Sequence, residues 1–367
     1  MYPTICVGLI AVFLAYLNGK STRDNCLKLS FLLLTIFLSL SYNWGPDVSS
    51  YYDTFIEVNS SEISIFDFSS LFGLRKQGEV GWSILNIISF PIGFFGFRFL
   101  LFSIENFILY RLIKDFVNKK WQWFAVFIYV FNAPEFMVIG STMMRQWLAM
   151  CLVVGAFLLY KHGHLLYAAI VLLITPTIHA SAFISFMLIP LLFIKYDFSK
   201  TKIIAIVILL VFSITWFVKN LAPEIISAFL IGGFDFYELY LDQTGGQGSG
   251  IVATMKMLLY IALFLSINQV EQKDRFFIAV AFVSILFLPL QSFGQLVIRL
   301  SYYYSIFTIV ALPQFFSQVK WNNLFKTGAL CFLFILYIYG FWIHFTGPVF
   351  HDTMYEYHSI FEAGKWM

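Results

Sequence analysis

The sequence predicts an all-α, polytopic integral membrane protein. Of its 367 residues, 60% are hydrophobic and only 12% are charged, whereas a soluble domain carries roughly 45–50% apolar and about 25% charged residues. The apolar residues also collect in runs close to the ~20 residues that a helix needs to span hydrocarbon. About 12 transmembrane helices are readable, near 2–17, 27–44, 97–116, 121–140, 142–160, 164–179, 181–195, 202–219, 251–268, 274–290, 297–317 and 325–346. Only Lys161–Gly163 separates two of them, which predicts a tight antiparallel hairpin. A further run at 80–97 is interrupted by Pro91, Gly93 and Gly96. It reads as a half-inserted or interfacial helix, because proline removes a helix hydrogen bond and glycine loosens the backbone. Residues 1–367 are expected to form a single polytopic membrane domain, with long loops at about 45–96 and 220–250. That leaves no room for a large extramembrane catalytic domain. The first run lacks a basic lead and an A-x-A site, so Met1 is expected to stay with the mature chain.

Orientation follows from Lys and Arg, which enrich short cytoplasmic loops. Most of the 23 basic residues fall on one side, including Lys20, Arg23, Arg111, Lys114, Lys119, Lys120, Lys161, Lys195 and Lys200. The smaller group on the other side comprises Arg75, Lys76, Arg98, Arg145, Lys219, Lys256, Arg299 and Lys365. This division requires that 80–97 does not fully cross. It places both termini and both long loops outside.

Ionisable groups at span mouths cost on the order of 2.5–3.5 kcal/mol each on insertion scales, so they gather at protein interiors or wet cavities. Four of them fall at the outer face: Glu79 before the broken run, Arg145 early in 142–160, His179 closing 164–179 after Pro176, and Arg299 opening 297–317. Each alone has an ordinary explanation. Arginine snorkels to headgroups, histidine bonds a helix end, and glutamate favours a helix N-terminus. Together they suit an anionic, phosphate-bearing substrate, since guanidinium offers phosphate oxygens a planar fork of donors.

Other patterns say less. Cys6, Cys26, Cys151 and Cys331 have no C-x-x-C spacing and read as buried thiols. The spacing of His351, Asp352 and His358 matches no familiar metal site, so these residues read as a solvated tail; no metal or cofactor is expected. Residues 244–250 are Gly-rich but lack the P-loop ending, and no D-x-D occurs. A net charge of +3 with scattered basic residues gives no nucleic-acid footprint. Trp44, Trp82, Trp121, Trp216 and Trp342 sit at plausible interface levels, while Tyr51, Tyr52, Tyr237 and Tyr240 are candidates for stacking on sugar rings.

Several strings, in order, resemble the Wzy-type O-antigen polymerases of the EpsG-like family. Gly45-Pro46-Asp47 followed by Tyr51-Tyr52 resembles that family's G-x-D-x-x-x-Y, and Glu79-Val80-Gly81 its E-x-G. Met144-Arg145-Gln146 with Leu148-Ala149, and Ile178-His179-Ala180-Ser181-Ala182, resemble two further motifs. Arg299 with Tyr302 to Tyr304, and Tyr355-Glu356-Tyr357, are looser matches. The family often carries an arginine shortly before its G-x-D; here those positions read Ser41-Tyr42-Asn43-Trp44.

The resemblance implies a bacterial inner-membrane glycosyltransferase that polymerises polysaccharide repeat units carried on undecaprenyl diphosphate. The growing glycan would leave its carrier for an incoming lipid-linked repeat at the periplasmic face, with membrane lipid and a chain-length regulator protein as further partners. On this reading Arg145 and Arg299 bind the diphosphate. His179 is the first-choice base, and Glu79 is the alternative base or the group that orients His179. Asp47, Tyr51, Tyr52, Gln146 and Tyr302 are the glycan contacts. An O-antigen ligase would use the same donor and differs only in motif order. A flippase or other lipid-linked oligosaccharide transporter would favour internal repeats and midplane charges, and neither is evident.

Overall fold

A computed structural model describes residues 1–60, 79–197, 251–287 and 295–365, with isolated positions between 199 and 213. Most of the expected span 202–219, the loop residues 61–78 with Arg75 and Lys76, and the loop 220–250 with Tyr237 and Tyr240 lie outside the described residues. The described chain is all-α apart from one two-stranded pairing. Four of its helices are long and apolar enough to cross a membrane: Tyr2–Lys20, Val80–Phe116, Met144–Lys161 and Asn323–Thr346. The protein is therefore a membrane protein. Shorter apolar helices cover Asn25–Ser39, Leu165–Ile178, Ala180–Phe193 and Thr254–Leu265.

The chain divides into two compact units, Met1–Phe186 with Gly328–Met367, and Met187–Thr327. In the first, α1 (Tyr2–Lys20) packs on α2 (Asn25–Ser39), which leads through β1 (Ser41–Tyr42) to α3 (Val48–Ser60). Next come α4 (Val80–Ser89), a 3-10 turn at Phe90–Ile92, and α5 (Gly93–Phe116). The break falls at Pro91 and Gly93, where Gly93 takes φ +70°, a left-handed conformation that glycine adopts without strain. Gly96 lies within α5, so that helix starts earlier than the expected 97.

The expected span 121–140 is instead α6 (Gln122–Phe131) and α7 (Met137–Thr142). Pro134 explains the interruption: it has no N–H to donate and disfavours helical backbone at Ala133. Then come α8 (Met144–Lys161) and α9 (Leu165–Ile178), joined by the expected tight turn, with Gly163 at φ +85°. The run 27–44 stops at Ser39 because Asn43 (φ +37°) and Gly45 (φ +131°) turn the chain.

The second unit begins where a 3-10 segment, Ala180–Met187, passes into α10 (Leu188–Phe193). It continues with α11 (Ile251–Leu265), α12 (Gln272–Ile285), α13 (Gln295–Ser305) and α14 (Thr308–Gln318). α12 is its centre, in contact with α10, α11, α13 and α14. Asp274 at its start accepts from Gln314 Nε2 at 3.1 Å and Gln318 Nε2 at 2.6 Å. The expected single span 297–317 is broken at Ile306–Phe307, where bonds such as Phe307 N to Tyr304 O skip three residues instead of four.

α15 (Asn323–Thr346) returns the chain to the first unit, ending in α16 (Pro348–Met354) and β2 (His358–Ser359). The tail is packed and not simply solvated: β2 pairs antiparallel with β1, Ser359 opposite Ser41 and His358 opposite Tyr42. Further corrections follow from packing. Of the cysteines only Cys151 is buried, while Cys6 and Cys331 are exposed. Trp44 and Trp82 are core residues rather than interface anchors. Arg98, counted among near-interface residues, is wholly buried and donates to Ser41 O, Ser41 Oγ and Leu38 O.

The first unit has two distinct polar ends. At one, Asp24 pairs with Lys114 (3.5 Å) and Lys119 (2.9 Å), and Asp115 with Arg111 and His162. At the other end of the same helices lie the β1–β2 pair and the residues considered next.

Candidate functional site

Glu79, Arg145 and His179 meet at one place although 66 and 100 residues separate Glu79 from its two partners. Glu79 Oε2 accepts from Arg145 Nη1, and its Oε1 accepts from His179 Nδ1 at 2.6 Å and from Ala180 N at 3.4 Å. The carboxylate is the enclosed member. Its side chain is 1% exposed, against 19% for Arg145 and 23% for His179.

Local sequence puts each group there. Glu79 is the N-cap residue of α4, yet its side chain makes no cap bond; its carbonyl serves Trp82 N and Ser83 N, which leaves the carboxylate for the neighbours. Arg145 lies in the first turn of α8, just after the kink at Met143 (φ −107°, ψ 57°). A cation at a helix N-terminus opposes the helix dipole, and Glu79 offsets that cost. His179 closes α9 in extended backbone (φ −150°, ψ 118°), three residues after Pro176. Gly81 makes the approach of α4 to α9 possible: a Cβ there would lie 2.3 Å from Thr177 Oγ1 and 3.1 Å from Thr177 O. That contact is the physical content of the Glu79-Val80-Gly81 string.

A wall of apolar side chains, among them Tyr51, Trp82, Phe97, Met144, Leu148 and Ile178, backs the cluster. The Arg145 guanidinium stands 5.7 Å from the centre of the Tyr51 ring, within cation–π range, and Tyr51 meets Trp82 edge-on at 5.7 Å. Burial pushes the Glu79 carboxyl up, but the His179 hydrogen bond and the Arg145 charge outweigh it, so the group is held below its ordinary 4.5. The acid therefore stays ionised throughout the neutral range. Among the described residues His179 Nε2 has no hydrogen-bond partner, while Nδ1 is committed to Glu79.

Residues 25–359 match the EpsG family. The chain belongs to the EpsG family. No curated protein and no solved structure matches it. Membership, together with the membrane-spanning helices, fits a role in polysaccharide biosynthesis at a coarse level.

For this EpsG-family chain the remaining sequence candidates are placed as follows. Tyr51 is buried beneath Arg145, so one ring face is occupied by protein, while Tyr52 is half-buried and meets Phe94 edge-on at 5.4 Å. Asp47 is exposed at the start of α3, where its carbonyl accepts from Tyr51 N. Gln146 is buried beside Arg145. Arg299 and Tyr302 lie on α13 in the second unit, both half-buried. Sequence reasoning named Tyr51 without its contact to Arg145, and it missed Thr177, the surface that Gly81 rides on. The glycine in the E-x-G string was the available signal for Thr177.

Proposed function

We propose that this protein polymerises lipid-linked polysaccharide repeat units by glycosyl transfer at the periplasmic face of the bacterial inner membrane, crossing it about twelve times. The observation that carries the reading is the Glu79–Arg145–His179 cluster, assembled by three motif segments of an EpsG-family chain. The acceptor hydroxyl of the incoming repeat gives its proton to His179 Nε2 as its oxygen bonds the donor's anomeric carbon. The bond from that carbon to the diphosphate oxygen breaks, and undecaprenyl diphosphate leaves with the electron pair. Glu79 fixes the proton on Nδ1 and stabilises the imidazolium as it forms. With both carboxylate oxygens engaged and almost no exposed surface, Glu79 suits this orienting role better than direct proton abstraction. Arg145 and Arg299, each in its own unit, are the proposed diphosphate contacts, since guanidinium offers phosphate oxygens a planar fork of donors. Asp47, Tyr52, Gln146 and Tyr302 are the proposed glycan contacts, and a chain-length regulator is the proposed protein partner.

Purified protein in lipid, given lipid-linked repeats alone, should yield glycans of increasing length. Products confined to transfer onto a different acceptor would identify a ligase, and translocation without bond formation a transporter. Arg145→Lys and Arg299→Lys keep the charge but lose the fork, so each should lower polymerisation about 10- to 100-fold at normal expression. Full-length ladders from both variants would remove the diphosphate assignment.

Orientation is part of the proposal. The Lys114, Lys119 and Asp24 end is cytoplasmic, and the site end, where the tail also lies, is periplasmic. A cysteine at position 119 should resist a membrane-impermeant thiol reagent applied from the periplasmic side. Labelling there would invert the map.

A further inference from the structure

We propose that the C-terminal segment 353–360 is a strap that positions the candidate site, with Tyr357 as its anchoring residue. The strap binds the turn between α2 and α3 at successive points. Gly45 N donates to Thr353 O at 3.2 Å, Trp44 Nε1 to Met354 O at 2.9 Å, and Ile360 N to Leu40 O at 2.9 Å. Tyr357 does most to fasten it. Its hydroxyl donates to Phe37 O at 2.7 Å, and its ring stacks on Phe37 at 4.5 Å and meets Trp44 at 5.6 Å. The buried Arg98 guanidinium also holds this turn, donating to Ser41 and Leu38.

The held turn touches the site by two routes. Gly45, at φ +131°, sits so close to Thr142 that a Cβ would come within 2.5 Å of its Cγ2, and Thr142 ends the helix just before the kink that aims Arg145. The turn also starts α3, whose Tyr51 ring lies against the Arg145 guanidinium. A loosened strap therefore frees both the backbone before Arg145 and the ring beside it. The EpsG match runs to residue 359 and so includes this segment, Tyr357 among it, up to Ser359.

The test compares the full chain with Tyr357→Ala, which removes ring and hydroxyl, and Tyr357→Phe, which removes the hydroxyl alone. Hydrogen–deuterium exchange in lipid nanodiscs is the first readout. With Tyr357→Ala, exchange at 45–58 and 143–147 should rise about tenfold, while 19–25 and 114–122 at the other end stay unchanged; Tyr357→Phe should recover most of the protection. Unchanged exchange at 45–58 and 143–147, or equal loosening at both ends, would overturn the proposal. Should Tyr357→Ala give no folded protein, Trp44→Phe deletes the donor to Met354 and trims the buried ring that meets Tyr357, and is read at the same segments, with about a threefold rise expected and no rise counting against the strap. The second readout, polymer formation, rests on the proposed function and should fall in the same order as protection. A wild-type chain that makes no polymer would sink that function while leaving the exchange result to decide the strap.

Discussion

Glu79→Gln should abolish polymer formation and destabilise the folded protein, although the side chain keeps its size. The carboxylate has one oxygen on His179 Nδ1 and the other on Arg145 Nη1. A glutamine has a single oxygen, so its NH2 group faces either Arg145, donor against donor, or His179, whose Nδ1 must then give up its proton and accept while Nε2 takes the proton and is lost as a base. The Arg145 charge is then left in a mostly enclosed site without its counter-ion, a loss of about 3 kcal/mol for a buried pair broken from one side. A downward shift of the unfolding temperature in detergent measures it. Acid should reproduce part of this loss in the wild type. Because the Glu79 carboxyl is held below its ordinary 4.5, its contribution is complete above that value and disappears as pH falls through the lower folded value. The Gln variant should lack this acid-sensitive component. Wild-type stability and ladder length from Glu79→Gln would show that the cluster is incidental.

His179→Gln should stop chain growth while leaving the lipid-linked donor bound. General-base catalysis by a positioned imidazole contributes roughly 10²–10⁴-fold, and glutamine hydrogen-bonds without accepting a proton at neutral pH. The expected signature is a turnover loss of that order, donor affinity within about threefold of wild type, and normal thermal stability, since Gln still donates to Glu79. Substantial polymer from His179→Gln would remove the base assignment. Loss of folded protein with retained specific activity would make His179 a purely structural end to α9. Measuring the two variants together separates the roles: an orienting Glu79 lowers turnover through His179, so the double variant should be little worse than His179→Gln alone.

Composition and hydropathy determined that this chain is helical and lives in lipid, because a bilayer rewards long apolar runs whatever their packing. They also located the breakers that mattered at Pro91 and Gly93, whose effect on the backbone is local. Charge placement singled out Glu79, Arg145 and His179, since an ionisable group at a span mouth is costly enough to stand out in one dimension. Hydropathy averaging hid other breaks. Pro134 splits 121–140 without lowering its apolar content, and the slip at Ile306–Phe307 has no sequence mark. The helix α3 inside an expected loop, and the return of the tail to β1, were likewise invisible, because both depend on partners far along the chain.

Tertiary structure alone decided that the three ionisable residues share one carboxylate. It also gave Tyr51 and Gly81 their supporting places and buried Arg98 against the backbone of the 38–41 turn. The physical reason is the range of the interactions. Solvation preference and helix propensity act residue by residue and survive reading in a line, whereas a hydrogen bond across 100 residues exists only after helices have packed to within a few tenths of an ångström.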